Sequence, residues 1–128
     1  MCIGNIYKIP MNEKDGITPK GGYDNRDKFI IIVGKNNPND YYGVVVVNSK
    51  INILFADYNF QYELKHDKYT GILKENSYVD CTSIKRVIKE RVIDSLGKID
   101  DSDFESIVKK LKIHPNISKH ELRKYNIV

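Results

Sequence analysis

The chain has 128 residues, a length that suits a single domain. Apolar residues make up 41% of it and charged residues 30%, which is typical of a globular protein and argues against a disordered one. No apolar run approaches the ~20 residues that a membrane span needs. The net charge of +4 is too small to indicate an anionic partner, although residues 66–128 hold +3 of it.

The N-terminus and the cysteines favour a cytoplasmic protein. Residues 1–5 have neither the basic head nor the long apolar stretch of a signal peptide. Cys2 and Cys81 lie far apart in the sequence and outside any metal-binding spacing, so we interpret both as reduced thiols.

The first half of the chain is predicted to form short strands. Residues 4–9 alternate, and Pro10 is expected to end that strand because it cannot donate to a ladder. A long loop at 11–27 separates it from 29–33, a β-branched run typical of a strand buried on both faces. Residues 41–47 should pair with that run as a hairpin.

Two further strands are predicted, at 59–65 and 77–81, whereas 84–96 fits either a helix or a strand. A helix should then begin at Asp100 or Asp101 and end before Pro115. Four apolar residues lie at helical spacing within it, namely Phe104, Ile107, Val108 and Leu111. Ser118 and Glu121 match a capping box that opens a second, short helix. The predicted fold class is therefore mainly β with late helices.

Several segments also resemble those of a known family when they are taken in chain order. They are Gly4-Asn5-Ile6-Tyr7, the run at 29–33, and the stretches at 44–51, 71–81, 84–96 and 97–103. Together they resemble the MazF/PemK-like endoribonuclease toxins of toxin-antitoxin systems. The resemblance spans about residues 3–112 and depends on the order of the pieces.

The resemblance implies a small SH3-like β-barrel at 1–112, followed by a helical tail at 113–128 that packs on the same domain. It implies a homodimer that cleaves single-stranded RNA without a metal or cofactor, through attack of the 2′-hydroxyl to give a cyclic phosphate. A cognate antitoxin, either protein or RNA, would be the other partner.

Site residues are carried over by position. Lys28 stands where the family has an arginine before the apolar strand, with Arg26 close by, and Phe29 replaces the proline that follows. The family threonine falls on Asn48, so Ser49 would supply the hydroxyl. The resemblance and the local charge add four candidate RNA-binding residues, namely Lys50, Lys85, Arg86 and Tyr23.

Each of these residues also has a purely structural interpretation. Lys28 could be a solvated residue before a strand, and Asn48 and Ser49 favour turns in any case. The alternative function is a non-catalytic SH3-like module that binds nucleic acid or protein. The substitutions at Phe29 and Asn48 would then mark a lost active site.

Overall fold

The computed structural model of the chain describes residues 1–11, 26–36, 38–47 and 60–127. Within these ranges one mostly antiparallel sheet precedes two helices, which confirms the predicted fold class. Its strands are β1 (Asn5–Met11), β2 (Arg26–Asn36), β3 (Asp40–Val47), β4 (Gln61–Leu64), β5 (Ser77–Asp80), β6 (Lys85–Val87) and β7 (Asp94–Lys98). The helices are α1 (Asp101–Ile113) and α2 (Lys119–Lys124).

The strand order is β4-β5-β3-β2-β1-β7, with β6 paired to β3 beside β5. β5 pairs with Val46 and Val47 of β3, and β6 pairs with residues 41–43 of the same strand. β7 pairs with β1 at the other side of the sheet. A 3-10 turn at Lys89–Arg91 links β6 to β7, so the chain crosses one face of the sheet there.

β2 is buried on both faces, as its β-branched sequence predicts, and it separates two apolar cores. The helix-side core joins the sheet to the helices and includes Ile6, Ile31, Val44, Val46, Ile107, Leu111, Ile117, Leu122 and Ile127. The crossover-side core lies under the chain between β6 and β7 and consists of Tyr7, Ile9, Met11, Ile30, Ile32, Tyr41, Val45 and Val87. The side chains of β1 and β2 alternate between the two cores.

The expectation that Pro10 ends the first strand is wrong. β1 continues to Met11, and Pro10 pairs with Asp27 of β2. β7 contacts β1 only between Asn5 and Lys8, so at Pro10 no described strand pairs with the outer edge of β1. The missing N–H of Pro10 therefore costs no ladder hydrogen bond, and Arg91 Nη2 donates to the Pro10 carbonyl at 2.5 Å.

The ambiguous stretch at 84–96 contains β6, the 3-10 turn and the start of β7 rather than a helix. β7 then runs on through Gly97, whose φ of +137° is accessible to glycine but strained for other residues. The other two predicted strands are present but shorter, as β4 and β5. Residue 59, where the first of them was expected to begin, lies outside the described residues.

Both helices begin at the predicted caps. Asp100 accepts a hydrogen bond from the Ser102 backbone N–H at 2.8 Å, and Ser118 Oγ accepts one from the Glu121 N–H at 3.1 Å. Ile107, Val108 and Leu111 of α1 are buried, whereas the predicted fourth face residue, Phe104, is only partly so. The helical pattern at 104–111 is therefore confirmed.

Residues after α2 dock on the turn end of the β2–β3 hairpin. The Tyr125 ring stacks on Tyr42 with 3.7 Å between centroids. The Lys35 N–H donates to the Tyr125 carbonyl at 2.8 Å, and Asn126 Nδ2 donates to the Lys35 carbonyl at 2.6 Å. A β-carbon at Gly34 would collide with the Tyr125 carbonyl, so the close approach requires glycine. The boundary proposed at residue 112 stays a prediction.

The Gly34→Ala substitution should lower the free energy of unfolding by about 1–3 kcal/mol, because the added methyl group overlaps a backbone oxygen. Urea denaturation followed by circular dichroism measures the change. The matched control is Gly71→Ala, since nothing lies within 4 Å of a β-carbon there. Equal stability of the two variants would contradict docking of the Tyr125 segment on the hairpin.

Candidate functional site

Lys28 lies near the start of β2, beside the last residue of β3. It pairs with Ile9 of β1, and the pairing of Phe29 with Val46 puts Val47 at the next register position, opposite Lys28. Val47 is the last residue of β3, so Lys28 stands beside the point where the chain continues into Asn48. The register thus places Lys28 opposite the last described residue of β3.

Four of the other predicted site residues lie outside the described part of the chain, namely Asn48, Ser49, Lys50 and Tyr23. Arg26 is described only by its strand position, opposite Met11 of β1.

Lys85 and Arg86 lie away from Lys28. They pair with Gly43 and Tyr42 on β6, and Gly43 is four residues along β3 from Val47, a distance of roughly 13 Å. The Arg86 guanidinium forms an ion pair with Asp40 at 3.1 Å. These two residues therefore form a patch separate from Lys28.

Two polar residues that the sequence did not indicate as site residues lie on the same face of the sheet as Lys28. Ile9 belongs to the crossover-side core, so its partner Lys28 shares that face of the sheet. Val79 is buried in the helix-side core, which places its neighbours Tyr78 and Asp80 on the same face as Lys28. The alternation within 77–81 carried this signal, because both residues occupy the polar positions of a half-buried strand.

The Asp80 carboxylate is held in one orientation. Its Oδ1 accepts hydrogen bonds from Gln61 Nε2 at 3.0 Å, from the Thr82 N–H at 3.1 Å and from Thr82 Oγ1 at 2.6 Å. Its Oδ2 accepts no hydrogen bond from the described residues. Asp80 can therefore act as a base through one oxygen while the other holds the turn after β5.

A second polar cluster surrounds Asp103, in the first turn of α1. The Tyr62 hydroxyl donates to Asp103 Oδ1 at 2.6 Å, while Oδ2 accepts from the Tyr69 hydroxyl and from Lys68 Nζ at 3.0 Å. The Tyr69 oxygen in turn accepts from the Asp100 N–H at 2.9 Å. These bonds attach α1 to β4 and to the residues that follow it.

The charges in this cluster favour an anchor over an acid–base site. Burial raises the pKa of Asp103, but the Tyr62 and Tyr69 hydroxyls and the Lys68 ammonium together outweigh it and hold that pKa below its usual value. Burial, and next the Asp103 carboxylate, raise the pKa of both tyrosines. The carboxyl group stays ionised and the phenols stay neutral near neutral pH, so none of the three groups gains or loses a proton there.

An open groove of about 590 Å³ lies beside the Asp103 cluster, between residues 68–72 and residues 98–101. Its two cations are both paired, since Lys98 lies 3.4 Å from Asp101 and Lys68 lies 3.4 Å from Asp100. The groove is therefore close to neutral and unsuited to a phosphate chain.

Other site classes find little support in the described ranges. No group of three or more His, Cys, Asp or Glu residues there could hold a metal ion. Burial, and next the Asp80 charge, raise the pKa of the Cys81 thiol to about 12, so it is not a nucleophile. Neither described helix is long and apolar enough to cross a membrane.

The fold and the position of Lys28 define a small β protein with late helices and a cationic strand end. Residues 4–114 match the PemK-like, MazF-like toxins of type II toxin-antitoxin systems, and the chain belongs to that family. It also resembles a solved structure described as an endoribonuclease in complex with its cognate antitoxin from a mycobacterial species. The TM-score is 0.59 at 18% identity, over 87% of this chain and 90% of that one. No curated protein matches the sequence.

The Asp103→Asn variant should be about 1–3 kcal/mol less stable at pH 7, because a neutral amide cannot form the ion pair with Lys68 and has one acceptor oxygen where the carboxylate has two. The folded-state pKa of Asp103 is lowered, so its contribution is present above about pH 4 and is lost as the pH falls through the folded value. The difference between wild type and variant should therefore shrink at pH 3.

Urea titrations at both pH values measure this change. Asp101→Asn is the control, since that carboxylate is exposed and, within the described residues, forms an ion pair with Lys98 alone. A constant stability gap between wild type and Asp103→Asn at pH 7 and pH 3 would rule out the charged anchor.

Proposed function

We propose that this protein is an endoribonuclease toxin that cleaves single-stranded RNA. Membership of the toxin family over residues 4–114 supports the class of activity. The observation that carries the proposal for the site is the register that sets Lys28 beside Val47, directly before Asn48 and Ser49. The β1, β2, β3, β6 and β7 strands with their 3-10 crossover are the elements from which we propose an SH3-like barrel.

The proposed reaction needs no metal. The ribose 2′-oxygen attacks the adjacent phosphorus, its proton passes to a base, and the bond from phosphorus to the 5′-oxygen breaks. The leaving 5′-oxygen takes up a proton, which gives a 2′,3′-cyclic phosphate and a free 5′-hydroxyl. Catalysis then requires a base, an acid and positive or hydrogen-bonding groups around the phosphorane.

The chain offers candidates for these parts. Lys28 would neutralise the phosphorane charge as a point charge, and Arg26 would assist it. Ser49 would supply a hydroxyl, and Asn48 would donate a hydrogen bond to a phosphate oxygen. The RNA flanking the cut would contact Lys50, Tyr23, Lys85 and Arg86, the last of these in competition with Asp40.

Asp80 is our candidate for the base. Asp80 lies on β5, which is separated from β2 by β3, and it is offset from Lys28 by two residues along the strand direction. The two Cα positions are therefore roughly 12 Å apart. A lysine side chain, a phosphate and a ribose span such a gap. The free Oδ2 would accept the 2′-hydroxyl proton.

The proposed partners follow from the same family. A protein antitoxin fits the type II family and the solved complex that the chain resembles. We further propose that the toxin is a cytoplasmic homodimer. The non-catalytic binding module remains the competing function, because Phe29 and Asn48 depart from the pattern of the family.

Lys28→Ala should lower RNA cleavage in EDTA by about 10²–10³-fold, because it removes the cation that stabilises the negative charge developing on the phosphate. Denaturing gels of a labelled single-stranded RNA measure the rate, and chemical analysis of the 3′ ends detects the cyclic phosphate. Lys74→Ala, at an exposed lysine in the loop before β5, is the matched control.

The outcome separates the competing functions. Binding of RNA by the wild type without cleavage would establish the binding module. Cleavage that survives both Lys28→Ala and Arg26→Ala would overturn the site.

Asp80→Asn should reduce cleavage by about 10²-fold or more while leaving the midpoint of thermal unfolding within a few degrees of wild type. The amide oxygen can still accept from Thr82 and Gln61, but the uncharged group cannot take the 2′-hydroxyl proton. Thr82→Val, which weakens the same turn without removing the charge, separates base loss from turn disruption. Unchanged cleavage in Asp80→Asn would assign Asp80 to the turn alone.

A further inference from the structure

The net positive charge of the protein is confined to one segment. Of the 21 basic and 17 acidic residues, six basic and one acidic lie between Ile107 and Ile127. Fifteen basic and sixteen acidic residues remain for the rest of the chain, which is therefore close to neutral. Most of this segment lies beyond residue 114, where the match to the toxin family ends.

Five of these six basic residues are exposed on the two helices. Lys112 of α1 and Lys119 and Arg123 of α2 line one shallow groove of about 220 Å³ with Leu122 between them. Lys109 and Lys124 are also exposed on the same two helices. We refer to these five cations as the basic tail surface.

Intramolecular contacts do not account for this charge. Within the described residues, none of the five cations of the basic tail surface forms an ion pair. Lys109 and Lys112 near the end of α1, and Arg123 and Lys124 in the last turn of α2, suit the helix macrodipoles. Lys119 is the first residue of α2, where a positive charge is unfavourable, so the macrodipoles do not explain why cations of both helices line one groove.

The chemistry of the surface fits a polyanion better than an acidic peptide. Leu122 is only 7% exposed, so the apolar lining of the groove is mainly the aliphatic stems of its three cations, which keep their charged ends at the surface and form no pocket for a peptide side chain. A row of phosphates needs only cations, and it gains affinity by counterion release. We propose that the basic tail surface binds the phosphate backbone of single-stranded RNA outside the catalytic site, an inference that depends on the proposed function.

The two RNA contacts would be far apart. Tyr125 and Ile127 fix the tail at Gly34 and Lys35, seven residues along β2 from Lys28, which is roughly 23 Å. The helices also pack on the opposite face of the sheet from Lys28. The basic tail surface would therefore raise affinity for long RNA without taking part in the chemical step.

The double variant Lys119→Ala/Arg123→Ala tests this proposal, because alanine preserves α2 and neither side chain forms an ion pair with the residues that the structure describes. The probe is a fluorescent 2′-O-methyl oligouridine of about 20 nucleotides, which has no 2′-hydroxyl for cleavage. At low salt we expect affinity to fall about three- to tenfold, and the slope of log K against log salt to lose about 1.4, the value for two phosphate contacts. With cleavable RNA of that length, KM should rise while kcat stays unchanged.

The charge-matched control is Lys65→Ala/Lys74→Ala, two exposed lysines that belong to neither proposed site. Equal affinity and salt slope in the two double variants would overturn the basic tail surface. A loss of antitoxin binding with RNA binding intact would assign it to a protein partner and also overturn the proposal. Absence of RNA binding by the wild type would instead refute the proposed function itself.

Discussion

The structure depends on the burial of β2 on both faces. Ile30 and Ile32 fill the crossover-side core, while Ile31 and Val33 pack in the helix-side core, so one strand fixes the positions of both. The ends of β2 are therefore set by the same packing. One end carries Lys28 beside the last residue of β3, and the other carries Gly34 and Lys35 against Tyr125. A rigid strand thus separates the candidate catalytic end from the tail.

The charges of α1 are arranged around this scaffold in two different ways. Acidic residues begin the helix, where Asp100 caps it and Asp103 accepts bonds from Tyr62, Tyr69 and Lys68. Those acids are satisfied within the protein, and they hold α1 on the sheet. The five cations of the basic tail surface form no ion pair within the described part of the chain, so their charge faces solvent. One helix thus combines an internal anchor with a surface open to anions.

The sequence predicted the parts of this fold that depend on local patterns. The β-branched run at 29–33, the 104–111 helical face and the Ser118 cap are all dictated by period or capping chemistry, and all three are confirmed. It failed at Pro10, because strand continuation there depends on which neighbour pairs with β1. The 84–96 stretch stayed ambiguous because short apolar runs fit either period, and pairing with β3 decided the outcome.

The candidate site was less predictable for a related reason. The resemblance to the toxin family suggested Lys28, but which side chains share its face depends on how β3 and β5 pair across the sheet. The alternation within 77–81 indicates that Tyr78 and Asp80 share one face of β5, but only the register shows that this face is also the face of Lys28, and only the register separates Lys85 and Arg86 from Lys28. Sequence proximity could not supply either result, because each involves strands that are distant in the chain.

The same register bears on the departures from the pattern of the family. Phe29 stands where the resemblance implies a proline, and its side chain packs against the helix-side core. Because neighbouring residues of a strand point to opposite faces, Phe29 and Lys28 lie on different sides of β2. The substitution at Phe29 therefore changes the packing under the helices and leaves the face of Lys28 and Asp80 intact. Of the two departures, only Asn48 bears on the proposed chemistry, and an amide there can still donate to a phosphate oxygen.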